Sequence, residues 1–256
     1  MPRASNVERV NVLGVGVSAI NLDSGRRIVA QAIRDRTRGY ITVTGVHGVM
    51  EAQDDPKLRA IFNDAFLVTP DGMPMVWMGK FAGKKEMDRV YGPDFMLEVC
   101  GLPGVRHFLY GGSNGTVAVL KQKLEERFPG IQIVGTYEPP WRALTAEEEA
   151  ALGEQVRAAR VDMFWVGLST PKQERFMAQF LPKLDVTLMA GVGAAFDFHS
   201  GKVSQAPRWM QRSGLEWFYR LCKEPRRLWK RYLRNNPRFV WRAAGQLLGL
   251  KRFSLE

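Results

Sequence analysis

The most constraining feature of this chain is a regular alternation between Arg106 and His199. Short apolar runs end at glycine-bearing junctions and give way to amphipathic stretches. Arg106 to Tyr110 leads into Gly111-Gly-Ser-Asn-Gly115 and a helical pattern from Thr116 to Arg127. Ile131 to Gly135 leads through Tyr137-Glu-Pro-Pro-Trp-Arg142 to a helix over Thr145 to Arg160. Asp162 to Val166 runs into Gly167-Leu-Ser-Thr-Pro-Lys-Gln-Glu174, and Val186 to Ala190 into Gly191-Val-Gly-Ala-Ala-Phe-Asp-Phe-His199. Strands alternating with helices at this spacing predict βαβ units and a mostly parallel sheet.

The first hundred residues carry a looser version of the same pattern. Val10 to Val17 reads as a strand, and Asp23 to Arg34 as a helix with Ile28, Ala32 and Ile33 on one face. Tyr40 to Thr44 is a β-branched strand ending in Thr44-Gly-Val-His47. Asp54-Asp55 reads as the cap of a helix opening at Pro56. Phe66 to Val68 is a strand delivering Thr69-Pro-Asp71-Gly72. A seam near Gly101-Leu-Pro-Gly104 divides the chain. The fold expected is α/β, with Rossmann-like, mostly parallel sheets in two halves: 1–103, carrying a candidate base, and 104–205, binding a nucleotide. Residues 206–256 form a basic, amphipathic helical appendage.

The charge is unevenly placed. Residues 202–256 hold 14 Lys and Arg against 3 Asp and Glu, a net of +11, which is the whole excess of the 256-residue chain. A neutral body with a basic tail points to a polyanionic partner. Pro225 and Pro237 are expected to break the tail into segments. Between 226 and 235, Arg227, Lys230, Arg231 and Arg234 share one face, and Leu228, Trp229, Tyr232 and Leu233 the other. That layout suits an interfacial helix, although nucleic-acid binding uses the same residue types. Cys100 and Cys222 match no disulfide or metal pattern, so a reduced, cytoplasmic setting is expected. Neither a signal peptide nor a membrane-spanning run is expected.

Several junctions carry chemistry, each with a plainer alternative. Asp71 follows a strand and precedes a helix, so it is either a general base at the carboxyl edge of a sheet or a helix cap. Gly111–Gly115 is either a phosphate cradle or a tight turn, and is neither a Walker loop nor a dinucleotide fingerprint. Gln173 can meet a sugar hydroxyl or a uracil edge, and Lys172 a phosphate or solvent. His47, His107 and His199 lack metal-ligand spacing, and no Asp-x-Asp pair follows a strand, so no metal is expected.

Taken together, Thr69-Pro-Asp-Gly-Met-Pro, Arg89-Val-Tyr-Gly-Pro-Asp94, Leu109-Tyr-Gly-Gly112, Phe128-Pro-Gly-Ile, Val166 to Glu174, Gly191 to Phe198, Gly201 with Ala206-Pro-Arg-Trp209, and Gly214 to Arg227 carry a resemblance. The chain resembles the WecG/TagA/CpsF glycosyltransferases of bacteria. The resemblance implies an inverting, metal-independent enzyme of hexosyl- or N-acetylmannosaminyltransferase type. It would move a sugar from a UDP-sugar, a substrate and not a cofactor, to a polyprenyl-diphosphate-linked acceptor. The setting implied is exopolysaccharide or surface-glycan synthesis, peripheral on the cytoplasmic face of the inner membrane.

On the family pattern the base falls on Asp71, with Thr44 and Gln173 in the pocket. Where the family has an Asn two residues after that Thr, this sequence has Val46 or Gly45, with His47 adjacent as a substitute polar group. Arg220, Arg227 and Arg231 match the family's tail arginines and are the expected acceptor-diphosphate contacts; from the strand-to-helix junctions themselves, donor contacts are expected at Gly111, Gly112, Gly115, Gly135, Gly167, Lys172 and Gly191. An anionic membrane surface is the expected partner, nucleic acid is not, and homo-oligomerisation is left open. The alternative from another class is a nucleic-acid-binding α/β protein using the basic tail.

Overall fold

A computed structural model describes Ala4 and residues 7–255. Eight strands are described: β1 (Arg9–Val12), β2 (Val15–Ser18), β3 (Gly39–Thr44), β4 (Leu67–Pro70), β5 (Arg106–Gly111), β6 (Gln132–Tyr137), β7 (Met163–Gly167) and β8 (Leu188–Gly191). The helices through the body are α1 (Leu22–Arg34), α2 (Val46–Asp54), α3 (Pro56–Asp64), α4 (Met73–Phe81), α5 (Gly92–Cys100), α6 (Thr116–Arg127), α7 (Ala146–Ala159), α8 (Lys172–Phe180) and α9 (Ala195–His199). The tail adds α10 (Arg208–Arg212), α11 (Glu216–Lys223) and α12 (Pro225–Leu247).

β3 to β8 form one six-stranded sheet in the order β4-β3-β8-β7-β5-β6, and every pairing is parallel. The α/β class and basic helical tail are as expected from sequence. The two halves share this one sheet, because β3 pairs with β8. Both faces are covered, which is why the strands read as near-continuous apolar runs. Val49, Leu58, Leu152, Val156, Phe176 and Phe180, with the β1–β2 hairpin and Phe239 of α12, pack on one face. Val29, Phe95, Leu120, Leu124 and Phe196 pack on the other. The chain thus leaves β3 towards one face and β8 towards the other. The carboxyl ends of these neighbours part there, as at the ligand-binding switch points of open α/β sheets.

Local chemistry sets most boundaries. Asn21 with Ser24, and Thr145 with Glu148, form capping boxes at α1 and α7. Asp55 caps α3 ahead of Pro56, as its position predicted. Asp54 does something else: its carboxylate takes Arg234 at 2.9 Å and Arg238 at 2.6 Å from α12.

Two expectations fail. Val10 to Val17 is not one strand but an antiparallel hairpin, because Leu13 (φ 52°) and Gly14 (φ 85°) take the left-handed geometry of a tight two-residue turn. Pro237 does not end a tail segment but lies inside α12. Tertiary contacts on both sides of it hold the helix together. Asn235 meets His47 at 3.0 Å, Arg242 bonds Gln53 at 3.1 Å, and Gln246 receives the Leu13 N–H at 2.9 Å. The second half of α12 is therefore a structural helix of the body. Among the described residues no helix is long and apolar enough to cross a membrane.

Candidate active site

The centre of the site follows from strand register. β3 and β4 align Thr44 with Pro70, and the next residue, Asp71, donates its backbone N–H to the Thr44 carbonyl at 3.0 Å. Asp71 and Thr44 therefore stand side by side at the carboxyl edge. The cap of α4 is Gly72, at φ 89°, and makes no side-chain cap bond. Asp71 is thus not a helix cap, and among the described residues none hydrogen bonds its carboxylate. Two glycines make this position reachable. Gly72 supplies a backbone conformation that L side chains rarely adopt. At Gly45, a Cβ would lie 2.9 Å from the Asp71 carbonyl oxygen.

A second segment docks beside the first. The Val90 N–H donates to the Pro70 carbonyl at 2.8 Å, which lays Arg89-Val-Tyr91 along the end of β4. The Arg89 side chain is nearly buried. One terminal nitrogen donates to Gln211 at 2.8 Å, the other bonds the Glu216 carboxylate, and the guanidinium lies 4.0 Å over the Tyr91 ring. Arg89 thereby ties α10 and α11 to the sheet edge, using the forked geometry that Lys lacks. α11 then carries Arg220 inward, its guanidinium 5.7 Å over the Phe198 ring of α9.

These neighbours tune Asp71 in opposite directions. Burial is the largest influence and pushes its pKa from an ordinary 3.8 up to about 6; Arg89 and Arg220 pull it back, while Glu216 and Asp94 add to the rise. Burial also raises the Tyr91 phenol, with Glu216 and Asp71 reinforcing it. Burial works against the charge on Arg220, but Tyr232, Tyr91, Glu216 and Asp71 outweigh it and hold its pKa above the ordinary value. Arg231 is pulled down by burial and by the like charges of Arg220 and Arg227. Arginine keeps its proton in proteins, so the cluster is a preformed positive site. The exposed Arg227 is partly neutralised by Glu224 at 2.7 Å.

His47 opens α2 just beyond Thr44. Burial takes its pKa down to about 4, with Arg231 adding to the drop. The imidazole is therefore neutral at pH 7. The Asn235 amide donates to Nδ1 at 3.0 Å, which leaves the N–H on Nε2, and a backbone hydrogen bond to Thr170 opposes the fall in pKa.

Gln173 completes the edge from the far side of β3. It is buried against Gly191 and Gly193 at the end of β8; a Cβ on Gly191 would come 3.0 Å from its Cδ. Gln173 donates to the fully buried Glu174 at 3.0 Å, as does Thr170 at 2.9 Å, and the Gln173 Oε1 is buried without a partner. Burial raises the Glu174 pKa. Thr44 at the end of β3, Asp71 just past β4, and Gln173, from the first turn of α8 against the end of β8, therefore meet the ends of three adjacent strands.

The glycines divide by place. Gly111 and Gly167 end β5 and β7 and touch: a Cβ on Gly111 would lie 2.7 Å from the Gly167 carbonyl oxygen. Gly112 and Gly115 take φ 79° and 77° in the turn before α6. The Gly115 N–H donates to the Glu138 carboxylate at 3.1 Å, so a phosphate bound there has to displace an acidic side chain. Gly135 lies within β6, where a Cβ would come 2.4 Å from the Phe108 ring; packing accounts for it. Lys172 is exposed at the start of α8. Among the described residues no group of three His, Cys, Asp or Glu side chains gathers as a metal site.

Sequence reasoning assigned no role to Arg89, Tyr91, Gln211, Glu216 or Asn235. Glu216 had a usable signal: it is one of only three acids in a tail with 14 cations.

A parallel sheet with a raised carboxylate and an arginine cluster at its carboxyl edge has the parts that group transfer needs, a proton acceptor and fixed positive charge. Residues 10–253 match the glycosyl transferase WecG/TagA/CpsF family, and the chain belongs to it. Two relatives are N-acetylglucosaminyldiphosphoundecaprenol N-acetyl-beta-D-mannosaminyltransferases. The protein from Bacillus spizizenii (strain ATCC 23059 / NRRL B-14472 / W23) is 30% identical over 210 residues, covering 80% of this chain and 79% of its own. That from Bacillus subtilis (strain 168) is 32% identical over 176 residues, covering 68% and 66%.

Proposed function

We propose that this glycosyltransferase moves a sugar from a UDP-sugar to a sugar carried on a polyprenyl diphosphate, with inversion and without a metal, at the cytoplasmic surface of the inner membrane. The observation that carries the reading is the place of Asp71 beside Thr44 at the carboxyl edge, its pKa raised to about 6, with Arg89 and Arg220 close enough to pull against that rise. The Asp71 carboxylate takes the proton of the acceptor hydroxyl. The hydroxyl oxygen forms its bond to the anomeric carbon, and the bond from that carbon to phosphate breaks, its electron pair leaving with UDP. General-base help of this kind contributes on the order of 10²–10⁴-fold. Thr44, Gln173 and His47 position the donor sugar.

Arg220 and Arg231, with Arg227 at the rim, neutralise diphosphate, for which a planar fork is well shaped. Displacement on an α-linked donor yields the β linkage in the relatives' names, and those names supply the acceptor class. The nucleic-acid alternative is less well supported, because Arg234 and Arg238 are held by Asp54 and Arg89 by Glu216.

The test is mass spectrometry of products from a panel of UDP-sugars and a prenyl-diphosphate-linked N-acetylglucosamine, with and without chelator. Transfer that survives chelation is expected. No transfer to this acceptor class, together with tight salt-sensitive RNA or DNA binding, refutes the proposal.

A further inference from the structure

α11 and α12 diverge to leave an apolar groove of about 680 Å³, lined by Trp217, Leu221, Tyr232, Leu233, Val240 and Trp241 among others. The volume lies within the range of small-molecule sites. Its exposure is unusual for a soluble surface: Leu233 is 69%, Val240 66% and Trp241 82% exposed. Isolated exposed apolar residues are ordinary, but a contiguous row of them marks a binding surface. Along α12 the lining runs from Trp229 to Ala244, which is about 22 Å of helix at 1.5 Å per residue. Pro237 sits midway along this wall and has no N–H to place there.

One end of the groove joins the charged site. Trp217 and Tyr232 meet edge-to-face with ring centroids 5.8 Å apart, and both line the groove. Tyr232 feels the charges of Arg220 and Arg231, and Arg220 in turn feels the charge of Asp71. An anionic head held by the arginines would therefore lead its attached chain past Tyr232 into an apolar trough. A diphosphate followed directly by a long hydrocarbon matches that sequence of surfaces.

We infer that the groove between α11 and α12 seats the first isoprene units of the acceptor lipid, so that the enzyme reads the prenyl chain as well as the diphosphate. This rests on the acceptor class proposed above. The seat is part of the protein, and membrane attachment alone does not replace it. Trp229, Leu233 and Trp241 form its rim, where the remainder of the chain returns to the bilayer.

The test uses two acceptors with the same sugar diphosphate, one with a long polyprenyl chain and one with two isoprene units. Both are presented in neutral detergent micelles, so that attraction to anionic lipid plays no part. KM for the long acceptor is expected to be about tenfold below that for the short one, and Val240→Trp, which fills the groove, to reduce that preference to about twofold or less. A photoreactive group near the first isoprene unit is expected to crosslink the wild-type protein at 217–244. This readout stands even if the variant does not fold. Crosslinks confined elsewhere, or a chain-length preference unmoved by Val240→Trp in a folded protein, overturn the inference. So does light scattering that shows a dimer dispersed by Val240→Trp, which would give the groove to a second copy. Absence of transfer to both acceptors, with no crosslink, instead sinks the glycosyl-transfer reading itself.

Discussion

Asp71→Asn should separate stability from activity, and its size follows from the site. The carboxyl pKa rises from 3.8 to about 6 on folding, chiefly through burial. A raised pKa means the folded state prefers the protonated form. That preference contributes fully below about pH 3.8 and is lost as pH rises through about 6. At pH 8 the ionised Asp71 therefore costs the fold up to ~3 kcal/mol, taking ~1.4 kcal/mol per pKa unit. Asn is nearly isosteric and cannot ionise. It should leave stability close to wild type at pH 4 and raise it at pH 8, by up to about 6 °C in Tm for a chain of this size.

Transfer should fall by roughly 10²–10⁴-fold in the same variant, because the proton acceptor is gone. Calorimetry at the two pH values and a radiolabelled transfer assay read both effects. In the wild type, kcat/KM should climb with pH through a limb near 6 that Asp71→Asn removes. The reasoning is refuted if Asp71→Asn transfers sugar at a near-wild-type rate. It is refuted equally if the variant is less stable at pH 8 than at pH 4 relative to wild type.

Other substitutions test the supports of that carboxylate. Arg89→Lys keeps a charge but not the fork that joins Gln211, Glu216 and the Tyr91 ring; it should lose roughly 1–3 kcal/mol in urea melts and expose 206–224 to limited proteolysis. Gly72→Ala places a side chain at φ 89° and should lose about 1–2 kcal/mol, with a larger fall in kcat than Tm implies, because Asp71 is displaced. Arg220→Ala with Arg231→Ala should raise KM for the lipid acceptor more than for the donor, and flatten the salt dependence of KM. Asp54→Ala releases Arg234 and Arg238 from partly exposed pairs and should cost no more than about 1 kcal/mol in the same melts.

The parallel sheet was legible because its signal is local: apolar runs ending at glycine and restarting as helices. The hairpin at Leu13-Gly14 was not, because Val10, Val12, Val15 and Val17 read as one continuous strand, and only a turn preference at two residues separates them. Pro237 misled for the converse reason. A proline removes one helical hydrogen bond, but Asn235, Arg242 and Gln246 anchor α12 to the body on either side of it, so tertiary packing overrode a local rule.

The site shows the same division. Thr44 ends β3, Asp71 follows β4 and Gln173 opens the helix after β7, so place in the strand-to-helix alternation nominates all three. Arg89 and Glu216 lie 127 residues apart and are joined by an ion pair that no periodicity reports. That pair reaches beyond its own two residues. Arg89 lowers and Glu216 raises the Asp71 pKa, so the contact that docks the tail also sets the charge on the proposed base. A tail lifted from the sheet edge would remove Glu216 and Arg220 together and open Asp71 to water, returning its pKa towards the ordinary carboxylate range. The base would then be weaker and no longer faced by a cation. Docking of α10 and α11 is therefore a condition for the proposed chemistry.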